Sequence, residues 1–132
     1  MRGARTIMAV LAAAVLMSAT GPRAGAAEPY PIYPILSLTG LAAFLGTGEE
    51  QTLKAAETVI NSSGGIHGRP VQFVIQDDQS NPAVAVQLFN TILAKGVPVQ
   101  IGPSLAGPCS AVAPLVKTQI VNYCLSPALH PP

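Results

Sequence analysis

VQFVIQDDQSNP, residues 71–82, changes its periodicity part-way along. Val71 to Gln76 alternates apolar with polar or is apolar on both faces, as a strand in a covered sheet should be. Asp77 and Asp78 end that run and cap the loop that follows, Asn81 supplies an N-cap side chain, and Pro82 takes the first helical position, where a missing N–H costs nothing. Ala85, Leu88, Phe89 and Ile92 then recur at i, i+3, i+4 and i+7, and Gly96 closes the segment. A strand passes straight into an amphipathic helix with no hairpin signal, which is the repeating unit of an α/β fold.

The same unit recurs on both sides. Upstream, AEPYPIYP (27–34) is a Pro-rich lead-in expected to lie extended at a sheet edge, and Ile32 to Leu38 reads as a first strand weakened by Pro34. After the loop Thr39 to Gly46, Thr47 and Glu50 have capping-box spacing, so a helix is expected to begin at Thr47. Leu53, Ala56 and Ile60, with Val59 beside them, form its apolar stripe; Glu49, Lys54 and Glu57 are expected to face away, and Ser63-Gly64-Gly65 stops it. Downstream, Val97 to Ile101 is a third strand, Gly102 to Gly107 a loop, and Pro108 to Val116 a third helix that Pro114 should kink or shorten. Ile120 to Leu125 is a fourth strand, and Ser126 to Pro132 starts the loop after it.

The order β-α-β-α-β-α-β, with right-handed crossovers, predicts an open parallel sheet with flanking helices. Ligands of such sheets sit outside the carboxyl ends of the strands, where strand order reverses. The candidate loops are therefore Thr39–Gly46, Gly102–Gly107 and the stretch from Ser126 onward.

Residues 1–26 stand apart from this pattern. Arg2 and Arg5 precede an unbroken apolar run, Ile7 to Met17, and Ala24-Gly25-Ala26 offers small residues, so a secretory signal cleaved after Ala26 is expected. The run falls well short of the roughly 20 residues that cross a bilayer. Past Ala26, Lys54, Arg69, Lys95 and Lys117 stand against six acids, a formal charge of −2 that gives no footprint for nucleic acid or anionic lipid. Export implies an oxidising compartment, where Cys109 and Cys124 can pair as a disulfide or stay buried as small apolar thiols. Their CX14C spacing is not that of metal ligands.

Ser104, in IGPSLAGPCS (101–110), admits two chemistries. Gly102-Pro103-Ser104-Leu105-Ala106 approximates a G-x-S-x-G elbow between strand and helix, but Gly107-Pro108 delays the helix, no acid follows Ser104, and His130 is the one downstream base. Hydrolase chemistry is thus a remote alternative. A binding loop asks less: small residues expose backbone N–H groups at a helix N-terminus, and Ser104 and Ser126 add hydroxyls that need no activation. Ordinary loop capping is an equal alternative for either serine.

LSLTGLAAFLG (36–46), NSSGGIHGRPVQFVIQDDQSNPAVAVQL (61–88), IGP (101–103) and YCLSPALHP (123–131) together resemble the first lobe of the substrate-binding proteins of branched-chain amino-acid type ABC transporters, of periplasmic binding protein type I. The resemblance implies that 27–132 is the N-terminal part of ligand-binding lobe 1, truncated after its fourth strand. It implies a non-enzymatic, cofactor-free, periplasmic solute-binding protein that closes two lobes on a small ligand and delivers it to ABC permease subunits. Carried over by position, the site falls on Phe44 and Leu45 in the first loop, Ser104, Ala106 and Gly107 in the third, and Ser126, Ala128 and His130 in the fourth. The serine that commonly receives an amino-acid carboxylate is Ala106 here, and the usual threonine is His130, so an aromatic or other organic acid fits as well as leucine or valine. The leucine binders' usual disulfide would need a cysteine at Ser80 and is not implied. The same residues are compatible with a ligand-sensing regulator of this fold, or with a truncated product that has no function. The chain alone is expected to bind ligand weakly or not at all.

Overall fold

In a computed structural model, which describes residues 27–116 and 120–126, the chain forms a parallel α/β sheet flanked by helices. The expected signal peptide, 1–26, lies outside the described residues, as do Ala128 and His130.

The first strand begins earlier than its Pro-rich sequence suggests and is split. β1 (Tyr30–Ile32) pairs parallel with β3 (Val71–Phe73), and β2 (Ile35–Leu36) pairs parallel with β4 (Gln76–Asp77). The break falls at Pro34 because its nitrogen has no proton for the ladder. The side-chain amide of Gln76 donates instead to the Val74 carbonyl, at 3.3 Å, and the Pro34 carbonyl still accepts from Gln76 N at 2.8 Å. β5 (Val99–Ile101) pairs parallel with β6 (Val121–Tyr123), a strand shorter than the expected Ile120–Leu125.

α1 (Ala43–Ser62) links the first ladder, α2 (Pro82–Leu93) leads to β5, and α3 (Ala106–Val112) with a 3₁₀ turn (Ala113–Leu115) leads to β6. α3 starts two residues ahead of Pro108, and the 3₁₀ turn at Pro114 is the expected shortening. β1 and β2 lie between their β3–β4 partners and β5: Gly102, just past β5, runs so close to Ile35 that any Cβ there would collide with the Ile35 carbonyl oxygen. The chain thus moves outward in one direction through α1 and in the other through α2, and the order reverses between β2 and β5.

α2 behaves as its sequence dictates. Asn81 accepts from Ala83 N at 2.8 Å, and Ala85, Phe89 and Ile92 are buried with Ile35, Val112 and Ile120 in the core. α1 departs from expectation at its start. It begins at Ala43, four residues before Thr47, and no capping box forms; the Thr47 hydroxyl donates back to the Ala43 carbonyl at 2.7 Å. The reason lies far along the chain: Ser80 Oγ accepts from Ala42 N at 3.1 Å and caps the helix from outside. Glu57 is also reoriented, since its carboxylate accepts from Phe73 N at 2.6 Å. With Asn61, which bonds both Val71 N (2.6 Å) and the Val71 carbonyl (2.8 Å), it satisfies β3 backbone groups that the β1 ladder leaves over.

Candidate functional site

The loop from Ser37 to Ala42 is tied to the turn after β4 by two carboxylates. Asp77 accepts from Leu38 N (2.9 Å), Thr39 N (3.1 Å), Gln79 N (2.8 Å) and the Thr39 hydroxyl (2.6 Å). Partial burial pushes the Asp77 carboxyl up, but those hydrogen bonds, led by the Thr39 hydroxyl, outweigh it and hold the group below its ordinary value. Asp78, fully buried, accepts from the Ser37 hydroxyl at 2.7 Å and from Ser80 N at 2.9 Å. These are capping bonds, the role the sequence assigns to the pair.

That clamp fixes Ser37 at the point where strand order reverses. From there Ser37 N donates to Ser104 Oγ at 3.1 Å, bridging the loops after β2 and β5, and the Ser104 hydroxyl donates to Glu49 in a short hydrogen bond. Gly46 makes the approach of α1 possible, since a Cβ there would collide with the Ser37 carbonyl oxygen. Glu49 therefore does not face away as its helical position suggests; it turns inward onto a serine 55 residues later. The loop after β6 joins the same rim through Leu125 N, which donates to the Pro103 carbonyl at 3.1 Å, and through a disulfide between Cys109 and Cys124, Cα atoms 6.0 Å apart.

A groove of about 460 Å³ opens on this rim, lined by Phe44, Leu45, Gly48, Glu49, Thr52, Leu53 and Leu125. Phe44 is 82% exposed and stands ready for contact. Of the residues singled out from sequence, Phe44 and Leu45 line the groove, though from the first turn of α1 and not from a loop. Ser104 lies beneath Glu49, 1% exposed. Ala106 and Gly107 open α3 and are not among the lining residues, nor is Ser126, whose backbone N–H donates to Cys124 Sγ at 3.4 Å. Glu49, Gly48, Thr52, Leu53 and Leu125 were not foreseen; the i, i+4, i+8 spacing of Leu45, Glu49 and Leu53 was the available signal, hidden by placing the helix start at Thr47.

Ser104 does not have the geometry of a nucleophile elbow, which presents its hydroxyl at an open strand-to-helix turn. Here the hydroxyl is covered, its proton is given to Glu49, and a lone pair is taken by Ser37 N.

The family model for periplasmic binding proteins matches residues 34–132. The chain belongs to this family. It is 31% identical over 90 residues, 66% of its own length and 22% of the relative's, to the chemotactic signal transduction system substrate-binding protein BasB of Halobacterium salinarum. Among solved structures it resembles a type 1 periplasmic binding protein from Bordetella pertussis, at 32% identity and a TM-score of 0.67, over 72% of this chain and 26% of that one. It also shares its fold, at 23% identity and a TM-score of 0.66, with the branched-chain amino acid transporter substrate-binding protein LivJ of Streptococcus pneumoniae, solved with isoleucine, covering 76% of this chain and 30% of that one. The chain thus spans between about a fifth and a third of the length of these relatives. The architecture is part of a type I periplasmic binding protein domain, in a family of exported solute-binding proteins.

Proposed function

We propose that this protein is the exported solute-binding component of an ABC uptake system, taking an amino acid of branched-chain type or a related small organic acid and presenting it to membrane permease subunits. The observation that supports this reading is the groove itself: about 460 Å³ open along α1 and Leu125, beside the point of strand reversal where Ser37 and Ser104 bridge the turns after β2 and β5. Phe44, Leu45 and Leu125 would hold the ligand's apolar body, with Ser104, Ala106, Gly107, Ser126, Ala128 and His130 completing the lobe-1 wall. Residues 1–26 would direct export and be removed. Ligand release and capture would follow hinge closure of a second lobe over this wall.

With one wall only, the chain should bind amino acids or aromatic acids more weakly than micromolar. An NMR titration tests this: amide shifts confined to Phe44, Leu45, Glu49 and Leu125 support the site, and shifts that avoid the groove across a panel of amino acids and organic acids refute it. A second reading, a ligand-sensing protein that signals, is favoured by the chemotaxis role in the name of the Halobacterium salinarum relative. Deleting the gene separates the two: loss of labelled-ligand uptake supports transport, and loss of a chemotactic response with uptake intact supports sensing.

A further inference from the structure

The hydrogen bonding of the groove bears on which end of a ligand it accepts. Ser104 has one hydroxyl proton, and Glu49 holds it; the Thr52 hydroxyl proton goes to the Gly48 carbonyl at 2.9 Å. The hydroxyl protons of Ser104 and Thr52 are therefore already engaged, while the Glu49 carboxylate retains lone pairs beyond its bond to Ser104. The rest of the lining is apolar: Phe44, Leu45, Leu53 and Leu125. Among the described residues no cation pairs with Glu49: Lys54 is on Glu50 at 2.6 Å, Lys95 lies over the Tyr33 ring, and Arg69 donates to the carbonyls of Glu28 and Pro29.

We propose that Glu49 receives the ammonium group of the ligand, so that the α1 wall of the groove is a subsite for a primary amine and turns free carboxylates away; the proposal rests on the ligand-binding reading above. A carboxylate arriving at Ser104 would have to displace Glu49 from the hydroxyl proton it holds and then remain beside it, two like charges close together. An ammonium brings three donors and no acceptor, the complement of the Glu49 carboxylate. Leu45 and Leu53, one turn to either side of Glu49 on the same face of α1, would flank the aliphatic stem next to the amine.

The test splits leucine into its two halves. The chain is titrated by NMR with 3-methylbutylamine, which keeps the ammonium, and with 4-methylpentanoate, which keeps the carboxylate. The amine should bind about tenfold or more tightly than the acid, with shifts centred on Glu49. Glu49→Gln should abolish that preference while its spectrum stays dispersed. Glu50→Gln removes the same charge one residue away and should leave the amine's affinity within about twofold, which separates a local role from the overall charge. Equal binding of acid and amine, or an amine preference that survives Glu49→Gln, overturns the proposal and leaves the solute-binding reading standing. Absence of groove shifts with either probe and with leucine itself overturns both.

Discussion

Ser37 donates its hydroxyl to Asp78 across 2.7 Å while both side chains are completely buried at the ends of β2 and β4. The other oxygen of Asp78, Oδ2, has no hydrogen-bond partner among the described residues. This carboxylate therefore depends on few bonds, and Ser37→Ala removes one from a group that water does not reach. A loss of about 2–3 kcal/mol is expected, in keeping with a buried charged acceptor left short of a donor. Urea unfolding checks it; a change below about 0.5 kcal/mol would mean that Ser37 does not anchor this corner.

Gly46 and Gly48 sit one turn apart at most on α1, yet should respond in opposite ways to alanine. At Gly48 an added Cβ meets nothing within 4 Å, so Gly48→Ala should stabilise by about 0.5–1 kcal/mol through helix propensity. At Gly46 the added methyl meets the Ser37 carbonyl, so Gly46→Ala should cost about 1–3 kcal/mol as α1 is pushed off the sheet. Parallel thermal melts of the two variants make the comparison, and equal melting temperatures would contradict it.

Asp77 links stability to acid pH. Its folded-state pKa lies below the ordinary 3.8, so its contribution is fully present above 3.8 and disappears as pH falls through the lower folded value. Asp77→Asn should therefore lower stability at neutral pH, and the gap between variant and parent should shrink below pH 3.8. Denaturation midpoints measured down the acid range decide the matter; a gap that is constant or widens towards low pH runs against the assigned bonds.

The disulfide between Cys109 and Cys124 closes a sequence separation of 15. A loop of that size limits the unfolded chain enough to add about 3 kcal/mol on the chain-entropy model. Reduction followed by alkylation should lower stability by that order. It should also loosen the β5–β6 rim, because Leu125 is held to Pro103 beside the bridge. Hydrogen exchange at the Leu125 amide with and without reductant reads the second effect; unchanged protection would detach the bridge from the groove.

The Asn81 cap, the Pro82 start and the Ala85–Phe89–Ile92 stripe of α2 were all legible, because each depends on residues within one or two turns. The parallel sheet followed from the alternation of such units, and the family resemblance pointed to Phe44 and Leu45, while the strand order came from the structure. Glu49 was missed as a site residue for a related reason: Thr47 and Glu50 have the spacing of a cap, and nothing nearby in the chain reveals that Ser80 has already capped the helix earlier.

By itself the amino-acid sequence determined the succession of strands and helices, where most of them stop, and the family to which the chain is similar, since periodicity, capping and glycine stops act over a few residues. Tertiary structure alone decided where α1 begins, that Glu57 serves the β3 backbone, that Cys109 meets Cys124, and that Glu49 faces the groove with Ser104 beneath it. The contacts responsible span separations of 38, 55 and 67 residues. Only when parallel strands bring the loops after β2, β4 and β5 to one rim do those side chains come within hydrogen-bonding reach, and no local pattern encodes that distance.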